Sequence, residues 1–122
     1  IPVLVQVEVP KVLEVKSSHL CSVWTNLLDN GIHACKSLSP ARRWMHIQSK
    51  KQGDYLYIRV SNSTSVDYGR RPSAPGHGLG KQILARLAVQ YQGEYWTKVS
   101  DETYIATVVM QIHRKSKMTS NE

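Results

Sequence analysis

A chain of 122 residues suits one domain, and 41% apolar with 20% charged residues is ordinary for a globular protein. No apolar run approaches the roughly 20 residues of a membrane helix, and residues 1–9 lack the basic lead of a signal peptide. The formal charge is +7, but the cations fall in scattered pairs (Arg42–Arg43, Lys50–Lys51, Arg70–Arg71) and a basic tail, not in one stripe interleaved with aromatics, which argues against a nucleic-acid interface. The chain opens on Ile, not Met, and so reads as a piece of a longer protein.

In chain order, Val3, Val5, Val7 and Val9 alternate, which predicts a strand over 3–9 that Pro10 ends. From Ser18 the period changes. Leu20, Val23, Trp24, Leu27, Leu28 and Ile32 recur at steps of three and four, predicting a helix of about 20 residues with Ser17 or Ser18 as N-cap. Ser37-Leu38-Ser39-Pro40 stops it. Residues 44–51 and 55–61 predict two strands joined at Gln52-Gly53-Asp54, a short hairpin turn. Residues 62–77 are polar and predict a loop. A second helix is expected from Leu79 to Tyr91, with Leu79, Ile83, Leu84, Leu87, Ala88 and Tyr91 as its apolar stripe and Gly93 as its C-terminal cap. Strands at 94–99 and 103–112 close the domain, and a polar tail follows at 114–122. Hairpins make the sheet mixed and mostly antiparallel, and two amphipathic helices cover one face. The expected fold class is α/β, a two-layer sandwich over residues 1–113.

Cys21 and Cys35 lie on the first predicted helix, 14 positions apart. A rise of about 1.5 Å per residue separates them by roughly 20 Å, too far for a disulfide or a shared metal.

The first helix also carries Ser22, Asn26, Asn30 and His33 at steps of three or four, with Asp29 beside them. Such a stripe is either a solvated face or a binding face. Two mid-helix Asn residues are mildly unfavourable by propensity. An amide oxygen can coordinate Mg²⁺ and an amide NH₂ can donate to phosphate. Gly76-His77-Gly78-Leu79-Gly80 sits before the second helix. Glycines there permit close backbone approach, and a helix N-terminus favours an anion. A ligand-free hinge would look the same. No Walker loop is present, and a polar loop, not a buried strand, precedes the glycines, which excludes a Rossmann fingerprint.

Taken in order, Asn26-Leu27-Leu28-Asp29-Asn30-Gly31-Ile32 resembles the N box of the GHKL ATPases, commonly N-L-L-x-N-A, and Gly76 to Gly80 is similar to their G-x-G-L-G lid motif. The resemblance covers nearly all of residues 1–113. It implies the Bergerat-type ATP-binding fold, and the wording looks most like the catalytic domain of quorum-sensing, peptide-responsive sensor histidine kinases. The resemblance implies that Asn26 holds Mg²⁺, that Asn30 contacts the phosphates or the sugar side, and that Gly76, Gly78 and Gly80 close a lid over the triphosphate. It makes Asn26, Asp29, Asn30, His33, Asn62, Gly76, His77, Gly78, Leu79, Gly80 and Lys81 the candidate ATP-binding set.

The chain departs from the family pattern in several places. Where the family places an adenine-binding Asp at a strand end, this chain has Asn62, whose oxygen can still accept the amino hydrogen bond. Gly31 replaces the usual Ala, and Lys81 follows the last lid glycine, facing either a phosphate or solvent. Family hydrolases carry a Glu as general base four residues before the first N-box Asn, and here Ser22 stands there. A kinase needs no such base.

None of His19, His33, His46, His77 and His113 is followed by Asp or Glu, as a phosphoacceptor histidine would be. The resemblance therefore implies a monomeric fragment that binds ATP and Mg²⁺ without phosphorylating itself. Its partners are a phosphoacceptor helix domain of the same kinase and a response regulator downstream, and its place is the cytoplasmic side of a membrane-bound protein. A degenerate nucleotide binder and an anti-sigma-type serine kinase are the alternatives.

Overall fold

A computed structural model of the chain describes residues 1–11, 13–65 and 78–113. The predicted polar tail, Gly76, His77 and most of the predicted loop lie outside them. The order is β1 (Val3–Val7), α1 (Ser17–Cys35), a 3-10 turn (Pro40–Arg42), β2 (Met45–Gln52), β3 (Tyr55–Ser63), α2 (Gly78–Gln90), β4 (Glu94–Ser100) and β5 (Thr103–Gln111). The five strands form one sheet in the order β1-β2-β3-β5-β4. β1 runs parallel to β2, as the α1 crossover requires, and every other pairing is antiparallel. This is the mixed, mostly antiparallel two-layer α/β arrangement the sequence predicts.

Both helices lie on one face. Val23, Leu27 and Ala34 of α1 and Leu84, Leu87 and Ala88 of α2 pack onto Leu56, Ile58 and Val60 of β3 and Tyr104, Ala106, Val108 and Met110 of β5. The period-2 alternation of β3 and β5 is thus the signature of one covered face. The β2–β3 hairpin turns through Gly53 at φ 61°, a left-handed value that glycine adopts without a Cβ penalty. Cys21 is exposed and Cys35 buried, and both are free, as the spacing predicts.

Four local expectations are corrected. β1 stops at Val7 and not at residue 9, because Ser49 takes over the backbone of Glu8: its Oγ accepts from Glu8 N at 3.1 Å and donates to Glu8 O at 2.9 Å. All five β1 residues are exposed, since neither helix reaches that edge of the sheet. The N-cap position of α1 is Lys16, with no side-chain cap, and Ser17 is already helical. There the Lys16 N–H donates to the hydroxyl of Tyr91, the residue after α2, so no serine anchors the helix start. β3 continues to Ser63, two residues into the predicted loop, because Ser63 and Trp44 exchange N–H bonds with each other's carbonyl and hydroxyl oxygens.

The cap of α2 also differs. Gln92, not Gly93, takes the left-handed conformation at φ 51°. Gln92 N donates to Val89 O and Gly93 N to Ala88 O, which is a Schellman closure. Gly93 is required for another reason, since a Cβ there would collide with the Val109 carbonyl.

Candidate functional site

α1 brings its two asparagines to different environments. Asn26 is half-buried at the flank of the helix. Its Nδ2 donates to the Ser22 carbonyl at 2.8 Å and to Ser22 Oγ at 3.3 Å. Both bonds use the amide nitrogen, which fixes the amide so that its oxygen is turned away from Ser22. That oxygen lies against the start of α2, where a Cβ added to Gly80 would stand 2.6 Å from it. The N-box segment and the glycine segment therefore meet at one contact, which needs glycine at position 80.

Asn30 sits further round, on the buried stripe between Leu27 and Ala34, not on the polar face. It is 2% exposed, and its Nδ2 has no hydrogen-bond partner. Beneath it, β4 supplies Tyr95 and β5 supplies Tyr104. Burial pushes the Tyr95 phenol above its usual pKa of 10.0, and interactions of its hydroxyl with the Tyr104 and Asn30 side chains partly offset this. The Tyr95 hydroxyl is itself buried, with no full hydrogen bond closing on it.

Asn62 is wholly buried in β3, in register with Met45 on one side and Tyr104 on the other. Its Nδ2 donates to the Ser63 carbonyl at 3.0 Å, which fixes the amide and leaves Oδ1 as an unpartnered buried acceptor. Gly31 roofs it: a Cβ on Gly31 would lie 3.1 Å from Asn62 Oδ1 and 2.9 Å from Met45 Cε. The end of β3 is fastened to α1 by Thr64, whose hydroxyl donates to the Ala34 carbonyl at 2.9 Å.

The other candidates are more peripheral. Asp29 is exposed, and His33 and Lys81 are half-buried. Gly78 opens α2 with nothing within 4 Å of an added Cβ. Leu79, expected on the apolar stripe of α2, is 60% exposed. A cavity of about 510 Å³ lies elsewhere, among Leu13, Lys16, Tyr91, Gln111 and His113, and includes none of the candidates. The i−4 spacing from Asn26 picks out Ser22 in the sequence, whereas nothing local marks Tyr95 and Tyr104, which come onto the helix-covered face through sheet order.

The polar atoms suit a magnesium nucleotide in type. Asn26 offers an oriented amide oxygen, Asn30 a donor, Asn62 an acceptor, and the first turn of α2 its free N–H groups. A buried donor or acceptor without a partner costs about 1–3 kcal/mol, so Asn30 Nδ2 and Asn62 Oδ1 would each gain from a polar partner. Among the described residues no three His, Cys, Asp or Glu side chains gather around a common point, so a metal at Asn26 would rely on that amide and the ligand's own phosphates.

A family model described as GHKL domain matches residues 15–111. No curated protein matches the chain. Among solved structures, the catalytic domain of histidine kinase ThkA is similar at TM-score 0.71 with 16% identity, over 93% of this chain and 81% of that one. Acinetobacter baumannii histidine kinase AdeS is similar at TM-score 0.69 with 13% identity. The match takes in 93% of this chain but only 55% of the AdeS chain, so this chain spans about half of that relative's length. Full-length ShkA, solved in complex with AMPPNP, is similar at TM-score 0.70 with 14% identity, over 94% of this chain and 26% of that one.

Proposed function

The chain belongs to the GHKL domain family, and from that membership we propose that it binds Mg–ATP and offers the γ-phosphate to a histidine on a separate helical domain, as the ATP-binding part of a two-component histidine kinase. The observation that carries this reading is the contact of Asn26 Oδ1 with Gly80, which places an oriented amide oxygen beside the N-terminus of α2. Phosphates belong at such a terminus, where free N–H groups and a partial positive charge meet an anion.

In this reading each residue has one task. Ser22 holds both N–H groups of the Asn26 amide, so that the oxygen faces the metal. Mg²⁺, when bound, neutralises charge on the phosphate oxygens. Asn30 donates toward the phosphate or sugar side, and the free Asn62 oxygen accepts from the adenine amino group. Gly78 and Gly80 keep the α2 terminus open to the triphosphate, with Leu79 and Lys81 beside them, Asp29 and His33 line the outer rim, and Gly76 and His77 belong to the proposed set by their motif alone. Ser22 also stands where a water-activating carboxylate would be needed, and a hydroxyl is no base near neutral pH. That favours transfer to a histidine over hydrolysis, since phosphoryl transfer needs mainly positioning and charge neutralisation. The resemblance of residues 26–35 and 76–93 supports a reading as the peptide-responsive branch.

Titration with a fluorescent ATP analogue, with and without Mg²⁺, tests the reading. Asn26→Ala is expected to lose the Mg²⁺-dependent gain in affinity, about tenfold, the scale of one charge-assisted contact. An Asn26→Ala protein that keeps the full Mg²⁺ effect would overturn it.

A further inference from the structure

Six of the large apolar side chains left exposed lie within the first nine residues: Ile1, Val3, Leu4, Val5, Val7 and Val9, from 41% to 73% exposed. Among the described residues β1 pairs with β2 alone, so its other edge is open. The ladder leaves a definite set of backbone groups there. Met45 N donates to Pro2 O and Glu8 N to Ser49 O, so the even-numbered residues turn their backbone groups to β2. Val3, Val5 and Val7 therefore turn their N–H and C=O groups outward. The polar side chains of the segment are tied back to β2: Gln6 Oε1 is bonded to His46 Nε2 at 2.7 Å, and Glu8 Oε1 accepts from Lys51 N. The opposite edge strand, β4, is built differently. It exposes Glu94 and Lys98, charges of the kind that blunt an edge against pairing. β1 has no charge between Val3 and Val7. Pro2 and Pro10 bound the segment and confine pairing to the residues between them.

We propose that β1 pairs antiparallel with β1 of a second copy, across a twofold axis at Val5. In that register Val5 meets its own counterpart and Val3 meets Val7 of the partner subunit. These are hydrogen-bonded pairs, because all three residues carry the outward N–H and C=O groups. Each pair exchanges two bonds, which satisfies every backbone group that the open edge presents between Val3 and Val7. The side chains match as well: each of these pairs sets valine against valine, β-branched side chains that pack well across a pleated surface. Area sets the strength. The six exposed side chains leave an apolar patch on the order of 500 Å² on each copy, toward the upper end for a monomer. Two such patches offer about 1,000 Å², the least that a specific interface buries, so the pair is a weak dimer with a Kd of about 10 µM. The net charge of +7 does not oppose it locally, because Glu8 is the only charged side chain among residues 1–9. Each copy uses its one unprotected edge, so the pair is closed and no filament follows. None of the candidate nucleotide residues takes part, so the inference stands independently of the proposed function. It departs from the monomeric fragment that the family resemblance implies.

Sedimentation equilibrium of the 122-residue chain tests it, over concentrations from about 1 to 300 µM on either side of that Kd. A monomer–dimer equilibrium is expected. Val5 faces itself across the axis, so Val5→Lys sets two like charges against each other and should raise Kd at least about tenfold. Val5→Glu should do the same. The two variants mixed should recover the dimer, since opposite charges then meet. Val5 is 58% exposed, so both variants should melt within a few degrees of the unaltered chain at a concentration where that chain is monomeric. A chain that stays monomeric throughout would overturn self-pairing and leave the edge to a strand of another protein. Dimers that persist in Val5→Lys would put the contact on another surface and overturn the proposal as well. A mixture no more dimeric than its components would overturn the register centred on Val5, and species larger than a dimer would overturn the closed pair.

Discussion

Around Asn26, at the rim between α1 and α2, the polar groups are satisfied and half-open: the amide nitrogen is bonded twice to Ser22 and the oxygen faces Gly80. Around Asn30 and Asn62, on the floor against the sheet, they are buried and incomplete, with a donor and an acceptor that have no partner. The difference separates two kinds of readiness. The rim is arranged before any ligand arrives, which costs little because water reaches it. The floor carries unpaired polar atoms in a low-dielectric setting, where an added partner gains most. A ligand that spans both regions would be oriented by the rim and recognised by the floor.

The comparison breaks most severely at Gly80. A Cβ there would stand 2.6 Å from Asn26 Oδ1 and must displace it. Gly80→Ala also removes a helix-destabilising glycine, a gain of up to about 1 kcal/mol in α2. Melting temperature should therefore hold or rise while Mg²⁺-dependent affinity for the ATP analogue falls by about tenfold or more, the loss of one charge-assisted contact. Parallel loss of stability and binding would mean that the rim is ordinary packing. Next in size is the floor. Asn62→Ala deletes the orphan acceptor and should reduce the preference for ATP over GTP by about fivefold, the scale of one neutral hydrogen bond. Direct titration of both nucleotides checks this, and an unaltered ratio would show that Oδ1 does not read the base.

How much of this was legible follows the same division. The N box and the glycine segment are local strings, so Asn26 and Gly80 could be picked out by spacing, and α1 itself by its period. The environment of Asn30 was read wrongly. The predicted stripe of Leu20, Val23, Trp24, Leu27, Leu28 and Ile32 holds at Val23 and Leu27, but the buried face continues through Asn30, Gly31, Ala34 and Cys35. Small and polar residues hid that face, because hydrophobicity is a proxy for burial and Gly, Ala and Asn give it a weak signal. The tyrosine pair was invisible for a topological reason: β5 comes last in the chain yet packs under the first helix, with β4 beside it. β1 shows the limit from the other side. Val3, Val5 and Val7 alternate as well as any residues of β5, but periodicity reports which residues share a face and not whether anything covers it.

The finest test lies at Gly31, where rim and floor share one helix turn. A Cβ at this position would stand 2.9 Å from Met45 Cε, 3.1 Å from Asn62 Oδ1 and 3.2 Å from Val60 Cγ1. The nearest of these is the end of a flexible side chain, which can yield cheaply. Val60, in the middle of β3, cannot, and the Asn62 amide is held by the Ser63 carbonyl. Ala in mid-helix gains about 1 kcal/mol over Gly, and the crowding costs a similar amount, so Gly31→Ala should shift the melting temperature by only a few degrees in either direction. What should change is the floor alone. With Asn62 Oδ1 pressed from above, the ATP-over-GTP preference should drop about two- to threefold, while the Mg²⁺ effect set by Asn26 stays intact. A Gly31→Ala protein that loses its Mg²⁺ effect along with its base preference would show that the two regions move together, and the distinction between a preset rim and a waiting floor would have to be abandoned.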